Sequence, residues 1–447
     1  MFGSPRVFQI VKIAAPFLLA VWFLGYVISY KSAYNGVVRQ FKDERDLFLS
    51  DFLEHEVDGS LDGRGIAELC AGKRWSPGLM LSCEPPSGGI GQVKNAHLNC
   101  IRFAIEMGAE LVTPRIIKRS EKDIKVVKPH NGNGPYKGEP LDYFFDFAHF
   151  NQTMSKFCPQ MKIHRSMDDL YQVPSVLNGY ETNLEKLHTQ IVNGSVITNV
   201  TVWSGQLKSF VDEVSPPAKR THPVRFHLDV TNWAFPTSAH NPTFVQHFGR
   251  ILRIREDARR VSASALYNMQ KRFQLQLDPR HGLKSDTFAG LHLRTERDAE
   301  HVFPSFEDQA AYLLDYVTSS KARVVFMATG ADESNVTAFA ERAADFDVTV
   351  LLKKDLLQEE DLNVLKGFTW DQRALVDYEI MLRAGLIAGP SQSSFAWNIA
   401  LRRNYAAGAS EGTLQVNTSA HIQWQDGHST IFGDSEMGPV FRETVWP

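Results

Sequence analysis

From residue 78 onward, apolar and polar positions fall into short blocks that switch between a period of two and a period near 3.6. "GLMLSC" (78–83) reads as a strand, and a loop carrying Gly88, Gly89 and Gly91 follows it. In "NAHLNCIRFAIEMGA" (95–109), Leu98, Ile101, Ile105 and Gly108 share one face at helical spacing. "ELVTP" (110–114) is then a strand closed by Pro114. Strand, loop, helix and strand form a β-α-β unit, which predicts a parallel sheet. Residues 115–240 are less regular, with "PHNGNGPYKGEP" (129–140) as a loop. From Thr243 to Phe273 a helical pattern runs without interruption and is expected to join two domains. A second alternating series follows. Strands are expected in "TFAGLHLR" (287–294), "ARVVFMATG" (322–330), "VTVLLKK" (348–354) and "LIAG" (386–389). Helices are expected in "FEDQAAYLLDYVTSS", "DESNVTAFAERAA", "WDQRALVDYEIMLRAG" and "SSFAWNIALRR". The expected fold is α/β: two Rossmann-type, doubly wound domains facing a cleft, the GT-B arrangement.

The chain before residue 78 follows another pattern. From Ile13 to Tyr30 it reads "IAAPFLLAVWFLGYVISY", eighteen residues without a charge, preceded by Arg6 and Lys12. That length matches a bilayer-spanning helix, and Trp22, Tyr26 and Tyr30 suit an interfacial end. A cleaved signal peptide fits less well, because "ISYKSAY" offers no small-x-small site. The expected organisation is a cytosolic tail (1–12), a signal anchor (13–30), a charged, partly helical stem (31–77), a first α/β domain (78–242), a connecting helix (243–273) and a second α/β domain (274–447).

Composition changes this picture little. The 447 residues are 43% hydrophobic and 22% charged, enough to bury two cores. A net charge of −3 argues against nucleic acid or an anionic membrane surface as partner. Lys31, Arg39 and Lys42 follow the apolar run, so flanking charge does not orient it. Five N-x-S/T sequons do: Asn151, Asn193, Asn199, Asn335 and Asn417 favour a lumenal body, whereas Asn241 is excluded by its proline. Cys70, Cys83, Cys100 and Cys158 form no CxxC or zinc-ligand spacing. They allow three disulfide pairings, with Cys100 as a buried free thiol the alternative.

Ligands of open parallel sheets bind beyond the C-terminal ends of strands, and four places satisfy that rule. The loop Gly88, Gly89, Gly91, Gln92 lets backbone N–H groups approach a phosphate at a helix N-terminus, although an ordinary tight turn would look alike. "HLRTERD" (292–298) puts Arg294 at a strand end, where a guanidinium suits a phosphate; the plain alternative is an ion-pair cluster with Glu296. Asp377 lies in a largely apolar helix, and Ser393 and Ser394 follow at a strand-to-helix turn. Read blandly, these are a satisfied core carboxylate and an N-cap. Competing motifs are weaker. A dinucleotide fingerprint would need a third glycine where Lys94 stands, and no GK[ST] or G-x-S-x-G is present. "DFD" (345–347) formally matches the metal triplet of GT-A enzymes but sits where a helix passes into a strand.

Together these segments resemble the GDP-fucose-dependent O-fucosyltransferase superfamily, which includes α1,6-fucosyltransferase relatives. "GGIGQVKNAHLNCIRFAIEMGAELVTP" is similar to its glycine loop, helix and "LV.P" strand, and "LDYFFDFAHF" to its "iFD..hF" segment. "HLRTERD" matches its HxRxxxD pattern, and "VDYEIMLRAGLIAGPSQSSF" its D…G…SSF segment, including the sixteen-residue separation of Asp377 and Ser393. The resemblance covers residues from about 80 to 405, weakly in the middle. It implies a GT-B enzyme that moves fucose from GDP-fucose to a protein or glycan with inversion and without a metal. The implied location is the Golgi membrane, with the endoplasmic reticulum as the alternative. Arg294 would hold the β-phosphate, with His292 and Asp298 shaping the same pocket. Asp377 and Phe395 would meet the base side, Ser393 and Ser394 the pyrophosphate, and the glycine loop the donor–acceptor cleft. The pattern also departs from the family. Gly91 replaces a common Asn, Lys94 an Arg, and Ala396 a polar residue; Gly89 stands where some relatives carry a glutamate base. Two rival readings are a non-catalytic nucleotide-sugar or glycan-binding protein of this fold and, more remotely, a nicotinamide oxidoreductase.

Overall fold

The computed structural model describes residues 43–447 except 87, 120–137, 171, 184–190, 193–195, 409–416 and 420. The expected anchor (13–30) and Asn193 lie outside the described residues. Among the described residues no helix is long and apolar enough to cross a membrane. The chain divides at residue 51: the first unit is described only over the start of helix Glu44–Glu54, and the second, Phe52–Pro447, holds both sheets.

The first sheet contains β1 (Leu79–Cys83), β2 (Glu110–Val112), β3 (Ile163–His164), β4 (Tyr180–Thr182) and β7 (Val224–Leu228) in the order β3-β2-β1-β7-β4, all parallel. A small hairpin, β5 (Ile191–Val192) with β6 (Val196–Ile197), lies apart from it in the topology. The second sheet contains β8 (Ala289–His292), β9 (Val324–Ala328), β10 (Thr349–Leu351), β11 (Leu386–Pro390), β12 (Asn417–Ser419), β13 (Ile422–Gln425) and β14 (Ser429–Phe432). Its order is β10-β9-β8-β11-β14-β13-β12, parallel through β14 and antiparallel in the last two strands. β1, β8 and β9 are buried at every residue, as strands covered on both faces must be. Leu291, Leu313, Val325 and Met327 lie in the second sheet's core.

The glycine-loop helix, Ile90–Met107, begins at Gly89 and ends on Gly108 in the left-handed conformation (φ 62°). A Cβ there would be strained and would run into the Arg74 carbonyl, so glycine is required. The helix is buried nearly all round rather than on one stripe, and its buried Lys94, Asn95, His97, Asn99 and Arg102 have hydrogen-bond partners. Asn95 donates to the carbonyls of Asn232 and Thr444 and accepts from the Trp446 amide; Asn99 accepts from the Trp446 indole at 2.8 Å. The cysteine pairing is Cys70–Cys158 and Cys83–Cys100, with no free thiol, so the second bridge ties the end of β1 to the glycine-loop helix.

Three sequence expectations need correction. The body begins well before Gly78. Partly buried Glu56 and buried Asp58, read as part of a stem, pack against Arg250, Arg259 and Arg402, with Glu56 2.9 Å from both Arg259 and Arg402. Burial alone would raise the Glu56 pKa, but these guanidiniums with Arg383 hold it far below the usual carboxylate range. The helix expected over 243–273 is two helices, Pro242–Phe248 and Glu256–Phe273, with a 3₁₀ turn and an extended stretch between them. There Ile254 bridges Phe145, and Arg253 and Arg255 exchange backbone hydrogen bonds with Asp146 and Phe144. Finally, the expected second domain (274–447) does not keep to its own half, because Thr444–Pro447 pack on the glycine-loop helix. Lys94, fully buried in that helix, donates to the Pro447 carbonyl at 2.9 Å, and desolvation holds its pKa well below the usual ammonium value.

Candidate functional site

A cavity of about 570 Å³ is lined by loops at the C-terminal ends of parallel strands from both sheets. Gly88 and Gly89 follow β1, Arg294, Glu296 and Asp298 follow β8, Thr329 and Gly330 follow β9, Lys353 follows β10, and Gln392 and Ser393 follow β11. Helix Trp370–Arg383 contributes Trp370, Asp371, Arg373 and Asp377. The geometry obeys the strand-end rule for open α/β sheets.

Arg294 leaves β8 with its side chain 10% exposed. Its Nη2 donates to Asp298 Oδ2 at 2.5 Å, and Nη1 lies 2.7 Å from Glu296 Oε2. Gln309 fixes the backbone on either side of that side chain: its Oε1 accepts from the Arg294 amide at 3.0 Å, and its Nε2 donates to the Arg294 carbonyl at 2.7 Å. The loop therefore holds the guanidinium on a rigid base. His292 pairs its Nδ1 with the Ala328 carbonyl and packs against Phe395 (centroids 4.9 Å apart). Burial lowers its pKa to about 4, so the ring is neutral near pH 7.

On the other side, Asp377 accepts from Lys353 Nζ at 2.5 Å through Oδ2, while its buried Oδ1 has no hydrogen-bond partner. Burial raises its pKa to about 6, against the opposing pull of Lys353. Ser393 caps helix Ser394–Ala406 by accepting from the Ala396 amide at 3.2 Å. The N-terminus of this helix and that of the glycine-loop helix both border the cavity. Two helix N-termini and a guanidinium at one cavity make a favourable field for an anion.

All seven of the residues expected around the donor, His292, Arg294, Asp298, Asp377, Ser393, Ser394 and Phe395, line this cavity, as do Gly88, Gly89 and Gln92. Gly91 does not. It lies in the first turn of the helix, where a Cβ would run into the Ser394 carbonyl oxygen, so it is a helix-packing glycine. "DFD" occupies the turn before β10, at the opposite end of that strand from Lys353, and Asp347 is an exposed left-handed residue (φ 57°) facing Arg323. Among the sequons, Asn151 lies in helix Phe147–Phe157, Asn199 caps helix Val200–Val214, and Asn417 lies in β12. Asn335 donates to Thr295 Oγ1, beside the Arg294 loop.

Several lining residues escaped the sequence reading. Thr329, Gly330 and Lys353 end expected strands, so the rule that found Arg294 also points to them. Arg119 had no such signal: it lies in the less regular stretch 115–240, its amide donates to Asp371 and its guanidinium to the Pro86 carbonyl at 2.9 Å. Burial lowers its pKa, with Asp371 opposing.

The model of the family described as GDP-fucose protein O-fucosyltransferase matches residues 79–406. No curated protein matches the chain. Among solved structures, POFUT1 in complex with GDP is 15% identical with a TM-score of 0.46, over 81% of this chain and 100% of that one. NodZ α-1,6-fucosyltransferase co-crystallised with GDP is 13% identical with a TM-score of 0.36, over 74% and 92%. A variant of Arabidopsis thaliana FUT1 in complex with GDP is 8% identical with a TM-score of 0.38, over 76% and 71%.

Proposed function

The chain belongs to the GDP-fucose protein O-fucosyltransferase family and is a glycosyltransferase, and from that premise we propose that it transfers fucose from GDP-fucose to a hydroxyl of a protein or glycan, with inversion and without a metal ion. The observation that carries this reading is Arg294, held by Asp298 and Gln309 at a cavity bordered by two helix N-termini. In the transfer, the acceptor hydroxyl oxygen bonds to the fucose anomeric carbon as that carbon's bond to the β-phosphate oxygen breaks, and the hydroxyl proton passes to the departing phosphate or to water. Negative charge then grows on the leaving GDP, where a fixed guanidinium and helix-end N–H groups are worth more than in the ground state. Asp377 Oδ1 is the acceptor for the guanine N–H groups, and His292 and Phe395 form the apolar wall beside the base. Ser393 and Ser394 meet the pyrophosphate from their helix end. Gly88 and Gly89 leave room for the sugar and the incoming hydroxyl.

The membrane placement is part of the same proposal: a single-pass type II protein of the Golgi with a lumenal body. The apolar run at 13–30 and the sequons support it, and two disulfides belong in an oxidising compartment.

A thermal-shift panel tests the donor assignment. GDP and GDP-fucose at 100 times Kd stabilise the fold by about 2.7 kcal/mol, with or without EDTA. Stabilisation by UDP-sugars or nicotinamide dinucleotides instead, or a requirement for manganese, contradicts it.

A further inference from the structure

The Arg294 guanidinium faces two carboxylates, and they hold it differently. Asp298 accepts an aligned hydrogen bond from Nη2. Glu296 Oε2 approaches Nη1 to 2.7 Å, yet no hydrogen bond reaches that buried oxygen. Its other oxygen, Oε1, accepts from the Gly330 amide at 2.8 Å, which anchors the carboxylate between the loops after β8 and β9. The side chains of Arg294, Glu296 and Asp298 are 10%, 11% and 5% exposed, so their charges are poorly screened. One guanidinium with two carboxylates sums to one negative charge. At this corner of a cavity that Arg119, Lys353 and Arg373 also line, a diphosphate therefore meets a local negative charge unless one carboxylate gives way.

We propose that Glu296 competes with the donor's diphosphate for Arg294 and so sets the affinity of the site for the phosphate part of donor and product. The proposal rests on the donor reading above and goes beyond it, because it makes Glu296 an antagonist of binding rather than a support. Asp298, with the aligned bond, orients the guanidinium. Glu296, in charge contact without an aligned hydrogen, is the partner exchanged when phosphate oxygens arrive. Its tether to Gly330 keeps it poised to return, which favours release of GDP after transfer. The guanosine part of the ligand is assigned to Asp377, His292 and Phe395; the Glu296 charge adds to burial in raising the Asp377 pKa, so guanosine lies outside this competition at a pH where Asp377 is ionised.

Calorimetric titration of the full chain with GDP and with guanosine at about pH 8, two units above the Asp377 pKa of about 6, separates the two roles. In Glu296→Gln, the Kd for GDP falls about tenfold, a modest share of what a like charge about 4 Å from a phosphate opposes, while the Kd for guanosine stays at the wild-type value. Glu296→Asp, which withdraws the carboxylate by one methylene, moves GDP affinity the same way by a smaller factor, and it carries the test if Glu296→Gln melts early. If Glu296 merely positions Arg294, both variants bind GDP more weakly or unchanged, and the proposal is overturned. A wild-type chain that does not bind GDP refutes the donor reading and the competition with it. Wild-type binding with an unmoved ratio refutes the competition alone.

Discussion

Asp377 gives the site a pH dependence of known sign. Burial raises its pKa to about 6, so the carboxylate is half protonated near that pH. For the fold, the protonated form is the favoured one: the stability this group contributes is full below its ordinary value of 3.8 and is lost as pH rises through 6. Guanine recognition runs the other way, because only the ionised form offers Oδ1 as an acceptor beside the Lys353 pair. Guanosine, which carries no phosphate titrating in this range, is therefore expected to bind more weakly as pH falls through about 6, approaching tenfold per pH unit only well below it, and Asp377→Asn should bind it weakly with no such slope. Titrations between pH 7.5 and 5 check this; a wild-type slope that persists in the variant contradicts it. Residues of this kind were legible when their motif ended a patterned strand or opened a helix, as with Arg294 and Ser393. Arg119 was not, because nothing local separates it from an ordinary surface arginine; its role in the wall follows from Pro86 and Asp371, which are distant in sequence.

At the level of elements, the contact between the glycine-loop helix and helix Ser394–Ala406 governs how two N-termini meet at one cavity. Gly91 sits at that contact, and a Cβ there would run into the Ser394 carbonyl, a backbone atom that cannot turn aside. The two helix ends approach too closely for a side chain at this position. Gly91→Ala should cost about 1–3 kcal/mol by overpacking and weaken GDP binding by moving the serine turn; Gly91→Asn should do more. Urea denaturation reads the first effect, and an unchanged midpoint in Gly91→Ala contradicts the account. The β-α-β order was legible because buried parallel strands and helices differ in length and period. The break near Ile254 was not, since its cause is backbone pairing with Phe144–Asp146, more than a hundred residues away in the chain. The partners of Asn95 and Asn99 in the glycine-loop helix could not be read locally either, because both side chains accept from Trp446, over three hundred positions further on.

Across the whole molecule, charge misled at the segment before residue 78. Glu56 and Asp58 read as a solvated stem because their partners, Arg250, Arg259 and Arg402, come from the far half of the chain. Such a buried set joins residues 52–77 to the body, and a local window cannot reveal it. The two-sheet architecture and the cavity between strand ends did follow from the alternating series, and the account's central claim concerns that cavity: Arg294 stabilises GDP as it leaves. The measurement that tests it most directly is kcat for GDP release from GDP-fucose, with and without acceptor, in the wild type and in Arg294→Ala. Loss of one such donor typically costs on the order of 10²–10³ in turnover, so the account predicts a fall of about that size at an unchanged unfolding midpoint. Lysine at this position should restore only part of the rate, since it keeps the charge without the planar fork. A folded Arg294→Ala that turns over within a few-fold of the wild type would contradict the account.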